Sequence, residues 1–152
     1  MNMLLKIYHV RLTVSNMDRS IKFYQNVLGL KLTGELLMEG PETDRLFKCE
    51  GCSARVAYLI SDEQIDGPPI ELIEFKGELE VVNCSELYKP SISEVCFLVK
   101  DISEFYNHLI SHNVECFSEP QFFDFSSFGF GKSKAFYFRD PDGIILEVMQ
   151  VL

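Results

Sequence analysis

Hydrophobic and polar positions fall into two rounds of one pattern along the chain. The run at residues 4–14 (LLKIYHVRLTV) is rich in β-formers and predicts a strand with His9, Arg11 and Thr13 on one face and Val10, Leu12 and Val14 on the other. Ser15-Asn16-Met17-Asp18 then offers capping side chains, and Ile21, Tyr24 and Leu28 recur at helical spacing up to Gly29, so a helix is expected over about 20–28. Strand-like runs follow at about 30–38, 54–61 and 69–75, separated by Gly, Pro and charged turns. The first half therefore reads β-α-β-β-β.

The second half repeats the plan: a strand at about 92–99 (ISEVCFLV), a capped helix at about 102–112, and short strands near 114–118, 134–139 and 144–150. An offset of 85 residues sets His9 on Glu94, Val14 on Val99 and Asn16 on Asp101, and an offset of 76 sets Glu71 on Glu147. We expect one domain over 1–152, built of modules 1–76 and 92–152 joined by a linker at 77–91. Neither half can bury its inner face alone, so pairing of the halves would close a cleft lined by equivalent strands.

Strand parity then selects candidate chemistry. The aliphatic faces must pack beneath the helices, which turns His9, Arg11 and Thr13 inward, and likewise Glu94, Cys96 and Leu98. Glu71 shares a face with Ile73, and Glu147 with Met149. Carboxylates on strands among Leu, Ile and Val are costly to bury unless paired or bound to metal. Two readings stand: His9, Glu71, Glu94 and Glu147 around one divalent metal, or rim carboxylates satisfied by water or by Arg11.

Composition narrows the partners. The 152 residues are 47% hydrophobic, enough for one sizeable core. A net charge of −9 with no Lys/Arg cluster argues against nucleic acid. No apolar stretch approaches the roughly 20 residues of a membrane span, and the N-terminal segment lacks the layout of a signal peptide, so a cytoplasmic protein is expected. Five cysteines are an odd count and fit reduced thiols. Cys49 and Cys52 form a Cys-x-x-Cys pair without the second pair of a zinc ribbon or the strand-to-helix setting of a thioredoxin motif, and read as structural or surface thiols. His108 and His112, four apart in a polar helical stretch, read as a solvated face. The segment 120–132, with Phe122, Phe123, Phe125, Phe128 and Phe130 among glycines, is too aromatic for an ordinary loop, and is expected to be a lid over an apolar substrate or a contact with a second subunit.

The segments His9-Val-Arg-Leu-Thr-Val, Met17-Asp-Arg-Ser-Ile-Lys-Phe-Tyr-Gln-Asn-Val-Leu-Gly-Leu, Ile70-Glu-Leu and Phe138-Arg-Asp-Pro-Asp-Gly-Ile-Ile-Leu-Glu resemble the signature segments of the glyoxalase/bleomycin-resistance/extradiol-dioxygenase superfamily, the vicinal oxygen chelate proteins, over nearly the whole chain. The resemblance implies an α+β fold of two paired βαβββ modules forming a cleft from mixed eight-stranded sheets. It is closest in motif to glyoxalase I, and carried over by position it implies His9, Glu71, Glu94 and Glu147 as metal ligands. Asp140-Pro141-Asp142-Gly143 would be a tight turn aiming Glu147 inward.

The departure is Glu94, where many bacterial members have His. One His with three carboxylates is an oxygen-rich site suited to Mn²⁺, Mg²⁺ or Ni²⁺, with Zn²⁺ also admissible. It weakens a ring-cleaving dioxygenase reading, since non-haem Fe(II) oxygenases use two His and one carboxylate. The function implied is a metal-dependent lyase or isomerase acting on a small carbonyl substrate. The metal would serve as a Lewis acid that stabilises an enediolate-type oxyanion, with Glu147 or Glu71 moving the proton. Arg11 would bind a substrate carboxylate or phosphate, or else balance Glu71 or Glu147 as an ion pair. Phe123, Phe128 and Phe130 would line the substrate pocket of a homodimer. The alternative is a metal-free drug-binding protein of the bleomycin-resistance kind. A fosfomycin-resistance-like thiol transfer would want a second metal His and a basic cluster, and neither is present.

Overall fold

The computed structural model describes residues 3–61, 67–77, 86–88 and 90–152. They form two compact units, one within residues 1–81 and one within 82–152. Residues 78–85 and 89 of the expected linker, with Cys84, lie outside the described residues.

The first unit runs β1 (Val10–Thr13), α1 (Met17–Asn26), β2 (Lys31–Glu39), α2 (Pro41–Phe47), β3 (Ser53–Ile60), β4 (Ile70–Phe75). Its four-stranded sheet has the order β1-β4-β3-β2, with β1 parallel to β4 and the other pairs antiparallel. The second unit runs β5 (Val95–Leu98), α3 (Ile102–Ser111), β6 (Gln121–Asp124), a 3₁₀ turn (Ser126–Phe128), β7 (Lys132–Arg139), β8 (Ile145–Val151). Its sheet has the matching order β5-β8-β7-β6, again with one parallel pair, β5 and β8. The fold is α+β, two βαβββ modules.

The internal repeat is visible in the register. Val10 stands opposite Ile70 in the first parallel pair, and Val95 opposite Leu146 in the second, at the offsets of 85 and 76 that the sequence indicates. Both module helices are capped at equivalent positions. The Asn16 side chain accepts from the Arg19 N–H at 2.9 Å, and the Asp101 carboxylate accepts from the Ser103 and Glu104 N–H groups at 2.9 Å each. Met17, Ile21 and Tyr24 of α1 are buried with Leu12 and Val14, the aliphatic face expected of β1. In the second unit Ile102 and Leu109 of α3 are buried, as are Phe136, Phe138, Leu146 and Val148, and Tyr106 meets Phe136 edge-on at 5.3 Å.

Three expectations need correction. The first strand is confined to Val10–Thr13 rather than starting near residue 4. Its partner β4 is preceded by Pro68-Pro69, which have no N–H to donate, and the ladder begins where the Val10 N–H reaches the Pro69 carbonyl at 3.1 Å. The run at 114–118 makes one isolated bridge, Cys116 to Phe138, and the second strand of that module is β6, drawn from the Phe-rich segment. That segment is thus a β-hairpin rather than a loop. Finally, α2 occupies residues for which no element is predicted. Pro41 starts it, where a missing N–H costs nothing, and Lys48 ends it in the left-handed region at φ 53°.

Candidate functional site

In the first unit Arg11 and Glu71 are opposite one another in the β1–β4 pair, and Tyr58 is opposite Glu71 in the β3–β4 pair. Three polar side chains therefore share one row of the sheet, with His9 immediately before β1. Glu71 is fully buried. Arg11 Nε donates to its Oε1, so of the two roles expected of Arg11 the ion pair is formed. Glu71 Oε2 faces His9 Nδ1 at 3.4 Å, and neither atom has a hydrogen-bond partner although both are buried. A hydrogen bond to Glu71, then burial and the carboxylate charge, hold the Tyr58 hydroxyl above its ordinary range.

This row continues into an apolar floor. Ala54, Val56 and Ile73 are buried, with Phe47, Tyr58 and Phe75 packed against them. Phe47 comes from α2. Its ring meets Phe75 edge-on at 5.2 Å and lies 5.8 Å from the Arg11 guanidinium. Helix α2 therefore walls the Arg11–Glu71 pair.

The second unit repeats the arrangement with different side chains. Cys96 is opposite Glu147 in the β5–β8 pair, and Tyr137 is opposite Glu147 in the β7–β8 pair. Cys96 thus takes the place of Arg11, and Glu94 that of His9. Glu94 Oε2 is buried without a hydrogen-bond partner, and burial, then the Glu147 charge, raises the Glu94 carboxyl. Cys96 is exposed, but desolvation against the sheet, then the charge and hydrogen bonding of Glu147, pushes its thiol up to about 12. Burial and the charges of Glu147 and Glu94 likewise raise Tyr137. The two tyrosines carry no charge that marks them in the sequence. Their signal was their equivalent placement, one in the third strand of each half.

The turn before Glu147 is tightly pinned. The Asp140 carboxylate accepts from Asp142 N–H at 2.8 Å and from Ile144 N–H at 2.9 Å, Gly143 adopts φ 80°, and the Arg139 guanidinium donates to the Gly143 carbonyl at 2.7 Å. This fixes the β7–β8 register that sets Glu147 beside Tyr137.

Phe123 and Phe125 stack at 5.5 Å, while Phe128 and Phe130 at the hairpin tip are 75% and 82% exposed. Of the four expected metal ligands, each unit brings two to one place on its sheet. Among the described residues, no group of three or more His, Cys, Asp or Glu side chains is gathered so as to hold a metal ion.

The profile of the Glyoxalase/Bleomycin resistance protein/Dioxygenase superfamily matches residues 6–148, and the chain belongs to that superfamily. A glyoxalase family protein from Bacillus cereus is similar in structure at a TM-score of 0.83 and 23% identity, over 99% of this chain and 97% of that one. The trypanothione-dependent glyoxalase I of Leishmania major is similar at 0.65 and 21%, over 97% and 87%. A genomically encoded fosfomycin resistance protein from Listeria monocytogenes is similar at 0.62 and 14%, over 99% and 96%. At these identities the likeness concerns the fold. No curated protein matches the sequence. No helix among the described residues is long and apolar enough to cross a membrane.

Proposed function

We propose that this chain is a cytoplasmic, divalent-metal-dependent lyase or isomerase of the glyoxalase I kind, with His9 and Glu71 from one unit and Glu94 and Glu147 from the other as its ligands. The observation that supports it is a set of buried donor atoms without hydrogen-bond partners, His9 Nδ1, Glu71 Oε2 and Glu94 Oε2, the first two facing each other at 3.4 Å. Such atoms cost stability where they stand, and a cation is the partner that would satisfy a nitrogen lone pair and carboxylate oxygens together. The donor set fits Mn²⁺, Mg²⁺, Ni²⁺ or Zn²⁺. When bound, the metal supplies Lewis-acid polarisation of a substrate carbonyl.

The side chains around it have separable tasks. Arg11 holds Glu71 Oε1, which leaves Oε2 as the oxygen turned to His9 and fixes the carboxylate's orientation. Glu147, beside a protonated Cys96 thiol, carries the proton between substrate carbons, with Glu71 as the second carboxylate available for transfer. Phe123, Phe128 and Phe130 cover the apolar part of a small-molecule substrate, and the exposed hairpin contributes to a homodimer. The exposure of Phe128 and Phe130 also favours a second reading, an aromatic surface that sequesters a drug without metal chemistry.

Formation of lactoylglutathione from methylglyoxal and glutathione, assayed with Mn²⁺, Ni²⁺, Mg²⁺ and Zn²⁺ in turn, tests the proposal. Metal-dependent turnover lost in Glu147→Gln supports it. Metal-independent binding of an aromatic cation with no turnover would favour the second reading.

A further inference from the structure

The turn between α2 and β3 carries Cys49 and Cys52, and its backbone brings the two thiols together. Lys48 at φ 53° reverses the chain after α2, Gly51 at φ 69° reverses it again, and both are left-handed positions. Asp44 anchors the two sides of the turn. Its carbonyl accepts from the Cys49 N–H at 3.0 Å and its carboxylate accepts from the Cys52 N–H at 2.8 Å. The turn thereby sets the two thiols beside each other, Cys49 exposed and Cys52 partly exposed. An open groove of about 600 Å³ reaches Cys52, lined also by Glu39, Pro41, Asp44 and Lys76.

We propose that Cys49 and Cys52 form a reversible dithiol site whose substrate is a low-molecular-weight disulfide. The exposed Cys49 thiolate attacks one sulfur of the reagent, forming a mixed disulfide and releasing one thiolate. The Cys52 thiolate attacks Cys49 Sγ, forming the Cys49–Cys52 bond and releasing the second thiolate. The two protons lost by the cysteines go to the two released thiols, so the reagent gains two electrons and the protein gives up two. Cys49 is the more exposed thiol, which assigns first attack to it and resolution to Cys52, whose thiol is raised by partial burial, then by Cys49. Phe47 lies two residues before Cys49, so closing the bond acts on the turn that ends the helix walling the Arg11–Glu71 pair.

Trypsin cleaves after Lys48 and Arg55, releasing a single peptide, 49–55, that holds Cys49 and Cys52 and no other cysteine. The native protein is equilibrated in mixtures of hydroxyethyl disulfide and 2-mercaptoethanol, quenched with acid, alkylated and mapped by mass. The expected result is conversion of this peptide from a doubly alkylated form to an unalkylated one, two hydrogens lighter than the free dithiol peptide, reversed by excess thiol. Cys52→Ser should trap the mixed disulfide on Cys49, and Cys49→Ser should react several-fold more slowly at Cys52. A peptide that stays doubly alkylated throughout, or one that accumulates only mixed disulfide in the native protein, overturns the proposal. So does a thiol-to-disulfide ratio at half-oxidation that is unchanged when the protein is unfolded in urea, because the folded turn would then contribute nothing.

Discussion

Arg11 and Glu71 face each other across the parallel β1–β4 pair, the guanidinium engaging a carboxylate that has no exposure to solvent. Removing one partner of such a pair leaves an uncompensated buried charge. Arg11 is itself 32% exposed, which softens the effect, so Arg11→Leu should cost about 2 kcal/mol in urea unfolding. The double substitution Arg11→Leu with Glu71→Leu should recover most of that loss. Equal stability of wild type and Arg11→Leu would show that the pair is idle.

Glu94 is the reverse case, a residue that costs stability. Its carboxyl is held above the ordinary range by burial and by Glu147, and its Oε2 has no partner. A raised carboxyl penalises the folded state where the group must ionise, and the penalty fades as pH falls through the raised value. Glu94→Gln should therefore raise the thermal midpoint of metal-free protein by a few degrees at neutral pH, with the gain shrinking in acid. A lower midpoint at neutral pH would contradict this.

The Phe-rich hairpin has its own acid sensitivity. Hydrogen bonds from the Ser126 side chain and backbone, then from Lys132, hold the Asp124 carboxyl below its usual 3.8. A depressed carboxyl contributes stability that is present above the unfolded value and is lost as pH falls through the folded one. Amide exchange of residues 121–132, normalised for intrinsic rates, should accelerate below about pH 4 in wild type, and Asp124→Asn should remove that step.

Much of this architecture was legible because the two halves check each other. The alternation that set His9 and Arg11 against Val10, Leu12 and Val14 holds, with Leu12 and Val14 buried, and the Asn16 and Asp101 caps occupy equivalent places. What escaped has local physical reasons. Pro68-Pro69 act on β1 through its partner strand, which a reading of residues 4–14 alone does not see. Seven residues of α2, PETDRLF, carry too few apolar positions to show a helical period. The glycines at 129 and 131 suggest a loop, yet their left-handed geometry closes a hairpin that places Phe122 and Phe123 in a strand. At the site, parity chose the carboxylates, while Tyr58, Tyr137 and Phe47 become visible only through cross-strand register and packing.

The central claim is that His9, Glu71, Glu94 and Glu147 serve one divalent ion, and calorimetric titration of chelator-treated protein with Mn²⁺, Ni²⁺ and Zn²⁺ tests it most directly. Saturable binding of one ion per chain is expected for at least one of these metals, weakened about 100-fold or more in His9→Ala and in Glu147→Gln while both variants remain folded. Wild-type protein that binds none of them, or variants that bind as tightly as wild type, would contradict it.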